Sequence, residues 1–325
     1  MHPAFSVIFL TTLIGAGQGL FLALYTGQVY SVLNVLPVQD SHSFYGFGAL
    51  LSVALLIGGL IASFFHLGHP ERAWRSAAMW RTSWLSREVI VLPAFMGVTA
   101  IYSMIHYLGF NPKLFTISGV VDVDLSLLIG ALNTGLAFLL FICTGMIYAC
   151  IKFLQEWATP LTVVNYILLG SASGFTLATA FAAWSQSELV NFYAGWAIVL
   201  TLLAFTTRSA SLIRNANIKH KSSLSTAIGV RHPQIQQKSR GFMAGAFNTR
   251  EYFHGMSQLF MRNIKWIFIL MVFVVPVILL AAGFSQPALT VFALAFTVQY
   301  LGLIAERWFF FAQANHPQNL YYQTI

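Results

Sequence analysis

FSVIFLTTLIGAGQGLFLALYT, residues 5–26, contains no charged side chain. Coiled as a helix it is long enough to cross the ~30 Å hydrocarbon core of a bilayer, which takes about twenty apolar residues. Met1-His2-Pro3 ahead of it carries no basic residue. The apolar run also exceeds that of a typical secretory signal, so it reads as a first span kept in the mature chain. Working outward, seven further runs qualify. The eight expected spans are about 5–27, 44–66, 88–109, 125–150, 161–184, 190–207, 266–283 and 288–310. These runs are twice the length of barrel strands, and a helix satisfies its own backbone polar groups in lipid. Pro37, Pro70, Pro112, Pro160 and Pro287 all fall between spans. The sequence therefore predicts an all-α, polytopic bundle of eight transmembrane helices. It forms a single integral-membrane domain over 1–325, interrupted by one long basic loop at 208–265.

Composition agrees. Of 325 residues 58% are hydrophobic and only 8% charged, against about 25% charged in soluble domains. A water-soluble enzyme is excluded, because so few charges cannot cover its surface. Two cysteines, Cys143 and Cys150, both in an apolar run, exclude a disulfide scaffold and a Cys-ligated iron–sulfur cluster in this chain. The net charge of +8 does not imply a nucleic-acid partner; in a membrane protein the side on which the excess lies is what matters. With eight spans both termini share a side, and that side carries 16 of the 17 Lys/Arg, the other side only Lys113. Asp40, Asp122 and Asp124 all lie on the sparse side. The positive-inside rule then puts both termini in the cytoplasm.

Candidate chemistry gathers after the second span. His66 ends one helix, Glu88 opens the next on the same face, and between them lie Arg72, Arg75, Arg81, Arg87, Trp74, Trp80 and Trp84. Tryptophan and arginine at span ends are ordinary interfacial anchors. His66 and Glu88 differ, since ionisable groups at or inside span ends are costly and usually functional. Quinol oxidation releases two electrons and two protons, so a quinone site needs a hydrogen-bond partner for a ring oxygen and a proton acceptor. A histidine and a partly desolvated carboxylate suit those tasks. A membrane haem is not expected. His66 and His106 sit at opposite ends of their spans, and the remaining histidines lie in loops or tails. Glu306-Arg307 closes the last span, either as a local ion pair or as a wall of the same pocket. Gly15, Gly17 and Gly19 follow no strand and match no nucleotide fingerprint; close helix packing accounts for them. The 208–265 loop mixes Lys/Arg with apolar groups such as Gly241-Phe242-Met243, the pattern of a headgroup-binding loop or of a docking surface.

His66-Leu67-Gly68-x-Pro70-x-Arg72-Ala73, then Ser83-Trp84-Leu85-Ser86-Arg87-Glu88, with Glu306-Arg307-x-x-Phe310 near the end, resembles the DmsC-type membrane anchors of molybdopterin oxidoreductases. Dimethyl sulfoxide reductase is the namesake of that family. The likeness covers essentially the whole chain. It implies a heterotrimer in which the catalytic subunit holds molybdopterin guanine dinucleotide and a ferredoxin-like subunit holds four [4Fe–4S] clusters. The anchor exchanges electrons with ubiquinone or menaquinone, carries no haem, and sits in the bacterial inner membrane as part of a respiratory chain. The family's quinone-site histidine and glutamate match His66 and Glu88. Arg72 or Arg87 would stabilise developing negative charge, and Trp84 and Glu306 complete the expected quinone-binding set. Arg75, Arg81, Arg240 and Arg250 are the expected partner-docking residues. The basic loop, Ala227-Ile228-Gly229-Val230-x-His232-Pro233 and Phe247-Asn248-Thr249-Arg250-Glu251, is also similar to the SoeC-type anchors of cytoplasm-facing sulfite dehydrogenases. That likeness implies oxidation of sulfite to sulfate on the cytoplasmic side, with this anchor itself not catalytic for sulfite. Two rivals remain at this point. One is the same anchor serving a terminal reductase that oxidises menaquinol. The other, of a different class, is a small-solute transporter, which would place charges or broken helices mid-span.

Overall fold

The computed structural model describes residues 1–117, 121–219, 222–238, 247–285 and 288–322. Among these, eight helices are long and apolar enough to cross a membrane. They are α1 (Phe5–Val32), α2 (Phe47–Phe64, entered through a π-turn at Ser41–Gly46), α3 (Trp84–Leu108), α4 (Leu125–Ala149), α5 (Pro160–Trp184) and α6 (Val190–Ala216). After the short helices α7 (Leu224–Ile228) and α8 (Phe247–Glu251), the seventh span joins α9 (Gln258–Ile269) to α10 (Val275–Gly283) through a π-turn at Leu270–Val274. The eighth is α11 (Leu289–Ala312). Local chemistry sets the ends. Thr159 caps α5 with Pro160 in its first turn, where the missing N–H costs nothing. α3 stops at Gly109, which adopts the left-handed φ of +68° that a side chain would strain.

α1 is the hub, packed on α2, α4, α5 and α11. Its glycines make that possible. A Cβ on Gly174 of α5 would fall 2.1 Å from the carbonyl carbon of Gly19, and one on Gly15 would lie 3.4 Å from the Gly170 Cα. The two backbones therefore touch along Gly15/Gly19 and Gly170/Gly174, as the small residues of α1 predict. Without a hydrophobic drive between helices in lipid, polar bonds help fix the register. The Ser52 hydroxyl of α2 donates to the Gly17 carbonyl at 2.7 Å, and Gln18 Nε2 donates to the Ala137 carbonyl of α4 at 2.9 Å. Outward, α2 and α4 expose Leu50, Ile57, Ile61, Leu128 and Leu132, a surface suited to lipid.

The connections 65–83 and 150–159, the N-terminal residues and the described residues that follow α6 and α11 share one face, here the basic face. There the Met1 amine donates to the carbonyls of Ala312 and Ala314 at 3.1 and 2.9 Å, and the His2 N–H to the Glu251 carbonyl at 2.9 Å. On the opposite face a small antiparallel hairpin, β1 (Lys113–Ile117) and β2 (Val121–Asp124), pairs Lys113 with Asp124 and Thr116 with Asp122. A wholly helical reading misses this element, although its alternating Val-Asp-Val-Asp has the period of a strand. The Lys113 ammonium sits 2.6 Å from the Asp122 carboxylate and, with the Thr116 hydroxyl, holds that carboxyl below its usual range.

Several helix ends lie outside the expected bounds, and at α3, α6 and α9 the added residues include polar ones. α6 continues nine residues past 207 and α9 begins at Gln258, so the long connection is 217–257 rather than 208–265. α3 starts at Trp84, where the Ser83 hydroxyl accepts from the Ser86 N–H. Trp84 and Arg87 therefore belong to the span and not to the loop before it.

Candidate functional site

α2 ends at Phe64 and the chain turns through Phe65 and His66 into a ten-residue 3₁₀ stretch, Pro70–Met79. It lies along the start of α3 on the basic face. Together the three elements enclose a cleft of about 440 Å³, within the size range of small-molecule sites. His66, His69, Arg72 and Glu88 are its ionisable lining; Leu10, Leu60, Phe64, Leu67, Leu85 and Leu92 supply apolar walls from α1, α2, the turn and α3. Pro93, also in the wall, lies inside α3 and offers no N–H to the Val89 carbonyl one turn earlier.

Glu88 stands on the inner side of this cleft, half-buried, and accepts a hydrogen bond from the Thr144 hydroxyl of α4. His66 is at the outer side, and partial desolvation holds its imidazole below the ordinary histidine value of 6.5. Partial desolvation thus favours its neutral form, with one nitrogen to donate and one to accept. Arg72 lies at the mouth with its Nε 3.6 Å from Glu71, whose carboxylate also meets His69 Nδ1 at 3.0 Å. A neutral donor, a carboxylate on a hydroxyl, a cation at the rim and apolar walls can hold a flat ring with polar oxygens and exchange a proton with it. Among the described residues no cluster of three or more His, Cys, Asp and Glu is placed to hold a metal ion.

Three expected members stand elsewhere. Arg87 turns back to cap the 3₁₀ stretch, donating to the carbonyls of Trp80 at 2.9 Å and Arg81 at 2.8 Å, with its guanidinium 4.2 Å from the Trp84 ring centre. Trp84 is half-buried as that platform, packed on the core. Glu306 is buried between α6 and α11, where its carboxylate lies 2.7 Å from Arg208 Nε and 3.5 Å from Arg307 Nε. The pair is therefore not merely local to Glu306-Arg307. Its main partner is an arginine that an end to the sixth span at 207 leaves in the loop. The Arg307 guanidinium also lies 3.8 Å from the Tyr166 ring centre. On the surface, Arg75, Arg81 and Arg250 are exposed, as are Trp74 and Trp80. Arg240, and with it Gly241-Phe242-Met243, lies outside the described residues, as does Pro287.

Thr144, the partner of Glu88, and Arg208, the partner of Glu306, were not legible in the sequence as such. Only Arg208 left a signal: the Ser-Ala-Ser-Leu-Ile stretch after it continues a helix rather than opening a loop.

Residues 1–312 match the family described as the DMSO reductase anchor subunit (DmsC). The chain belongs to the DmsC family. A second comparison agrees with this DmsC assignment. The chain is 54% identical over 325 residues to the C subunit of the sulfite dehydrogenase of Allochromatium vinosum, covering all of both chains. It is thus a membrane-embedded DmsC anchor subunit of a multi-subunit oxidoreductase of the DMSO reductase type. The block that carries the family likeness, from His66 through Glu88, is the block that builds the cleft.

Proposed function

We propose that this DmsC-family chain is the quinone-reactive anchor of a molybdopterin oxidoreductase. In this reading it passes electrons from a four-cluster iron–sulfur subunit to the membrane quinone pool, most simply during oxidation of sulfite to sulfate. One observation carries the reading: His66, Arg72 and Glu88, spread over 22 positions in sequence, line one apolar-walled cleft on the basic face. A quinone, when bound, supplies a two-electron, two-proton acceptor. The neutral His66 imidazole donates to one ring oxygen and fixes the ring's orientation. Glu88, on the inner wall, holds the proton to be exchanged at the ring oxygen, and the Thr144 hydroxyl fixes which carboxylate oxygen faces inward. Arg72 at the rim stabilises negative charge as it develops. The apolar side chains exclude water and accept an isoprenoid tail.

The exposed Arg75 and Arg81, with Trp74 and Trp80 beside them, form the neighbouring docking surface for the iron–sulfur subunit. That places the cluster nearest the membrane against the cleft. Sixteen of seventeen Lys/Arg on this side of the sequence support a cytoplasmic orientation in the inner membrane, with the soluble subunits inside the cell. Whether electrons enter or leave the quinone pool follows from the potentials of the partner centres; the 54% identity to a sulfite dehydrogenase subunit favours entry. In the assembled complex, His66→Ala or Glu88→Gln should abolish sulfite-dependent quinone reduction while sulfite-dependent reduction of a soluble artificial acceptor persists. Equal loss of both activities in assembled complex would sink the assignment.

A further inference from the structure

Glu88 faces two cavities. On one side is the cleft just described; on the other lies a small cavity of about 20 Å³ between α1, α4, α5 and α11, lined among others by Thr144, Tyr166 and Arg307. Arg307 in turn lines a third cavity, of about 10 Å³, with Arg208, Glu306, Glu156 and Asn215. Glu88 and Arg307 thus join three cavities in series. The last reaches the basic face, where half-buried Asn215 closes the final turn of α6 and donates to the Glu156 carbonyl at 3.3 Å.

The two inner cavities are about the size one water needs, and each has polar side chains set among apolar walls, Thr144, Tyr166 and Arg307 in the first and Arg208, Glu156 and Asn215 in the second. Tyr166 lines the first, its buried hydroxyl beside that of Tyr148. Glu156, whose Oε2 is buried without a hydrogen-bond partner among the described residues, lines the second. Tyr166 is 4% exposed and Glu156 8%. Buried polar groups of native proteins are nearly always satisfied, by protein or by ordered water. A buried hydroxyl and a carboxylate oxygen without a partner, each in a residue lining a water-sized cavity, are two stations a hydrogen-bonded relay can use.

We infer that this series of cavities is a proton conduit from the basic face to Glu88, separate from the cleft by which the quinone itself enters. The inference rests on the quinone reading of the His66 cleft. Reducing a quinone takes two electrons, here from one-electron iron–sulfur carriers of the partner subunit, and two protons. The O–H bond of Glu88 breaks as an O–H bond forms on the ring oxygen facing it. The other ring oxygen takes its proton from solvent at the cleft mouth through His66, which gains a proton on one nitrogen as it gives one up from the other. Glu88 then regains a proton through the water beside Tyr166, which is refilled past Arg307 from the Glu306 and Glu156 side. Arg307 and Arg208 cannot themselves give up protons. Their task is to hold the Glu306 carboxylate in place as an acceptor for the intervening water. Because a cleft filled by a ring and its tail has no room for a water chain, a separate inlet resolves how the half-buried Glu88 carboxylate is recharged.

The test compares Tyr166→Phe and Glu156→Gln with His66→Ala in the purified complex, using a short-chain quinone as acceptor. Tyr166→Phe removes only the hydroxyl and keeps the ring under Arg307 and stacked on Tyr148, so the packing there is preserved. The conduit requires kcat for quinone reduction to fall by about tenfold or more, with KM for the quinone within about twofold. Added acetate, a small permeant proton carrier, should restore part of the rate, and reduction of a soluble acceptor should be untouched. Full quinone turnover in both Tyr166→Phe and Glu156→Gln, beside loss of it in His66→Ala, overturns the conduit and leaves the quinone site standing. A raised KM with unchanged kcat also overturns it. Unimpaired turnover in His66→Ala overturns the site reading and the conduit with it.

Discussion

Glu306 and the two arginines around it offer a test in which charge and packing make opposite predictions. The side chains of Glu306 and Arg208 are 1% and 3% exposed and 2.7 Å apart; Arg307 is 3.5 Å away on the other carboxylate oxygen. Breaking a buried pair by removing one partner costs about 3–5 kcal/mol, because the other charge is left uncompensated. Glu306→Leu orphans two guanidinium groups at once and belongs at the upper end, about 5 kcal/mol. Arg208→Met leaves Glu306 with Arg307 and belongs at the lower end, about 3 kcal/mol. The double substitution leaves only Arg307, which keeps the face of Tyr166 at 3.8 Å, a cation–π contact worth about 2 kcal/mol when desolvated. It should therefore be more stable than Glu306→Leu alone, with a coupling energy of at least about 2 kcal/mol. At roughly 2 °C per kcal/mol for a chain of this size, Glu306→Leu should lower the midpoint by about 10 °C and the double variant by distinctly less. The assay is the temperature at which half of the detergent-solubilised complex still elutes intact by size exclusion. Additive shifts, or a double variant less stable than Glu306→Leu, would refute the reasoning.

Gly174→Ala should destabilise the complex by about 1–3 kcal/mol. Its Cβ would meet the α1 backbone at 2.1–2.3 Å, and α1 and α5 must part; the same melting assay reads this, and Gly195→Ala, whose Cβ meets nothing within 4 Å, is the control. Arg75→Glu with Arg81→Glu should weaken retention of the iron–sulfur subunit and make what remains more salt-sensitive; co-purification over a salt gradient checks it. Since the folded state holds the His66 pKa below 6.5, the unfolded chain takes up that proton first as pH falls. His66 thus contributes nothing to pH dependence above its unfolded pKa of about 6.5 and lowers stability progressively below it. A His66→Gln variant should lose that part of the acid limb in a pH series of melting midpoints, and an unchanged limb would contradict the assignment.

The spans were legible in the sequence because lipid imposes a one-dimensional rule: about twenty apolar residues, with prolines and charges between. His66 and Glu88 were legible for a related reason, as ionisable groups at the ends of apolar runs have few structural excuses. Helix ends were less legible. The sixth apolar run stops at Arg208, but α6 carries Arg208 inside because Glu306, 98 residues later, neutralises it. Arg87 and Trp84 look like cleft residues by position, yet Arg87 spends its guanidinium on the carbonyls of Trp80 and Arg81.

Sequence alone determined which segments enter the membrane, how the basic residues divide between its two faces, and the family likeness of the His66–Glu88 block. Those properties belong to stretches of contiguous residues in contact with lipid or water. Tertiary structure decided that Glu88 stands between a cleft and an inner cavity, that Tyr166 and Arg307 line the latter, and that Glu306 belongs to a different buried cluster. Such placements depend on which helix faces meet, and those faces are chosen by the Gly15/Gly19 and Gly170/Gly174 backbone contact and by cross-helix pairs such as Arg208 with Glu306. No local pattern encodes a meeting between residues about a hundred positions apart.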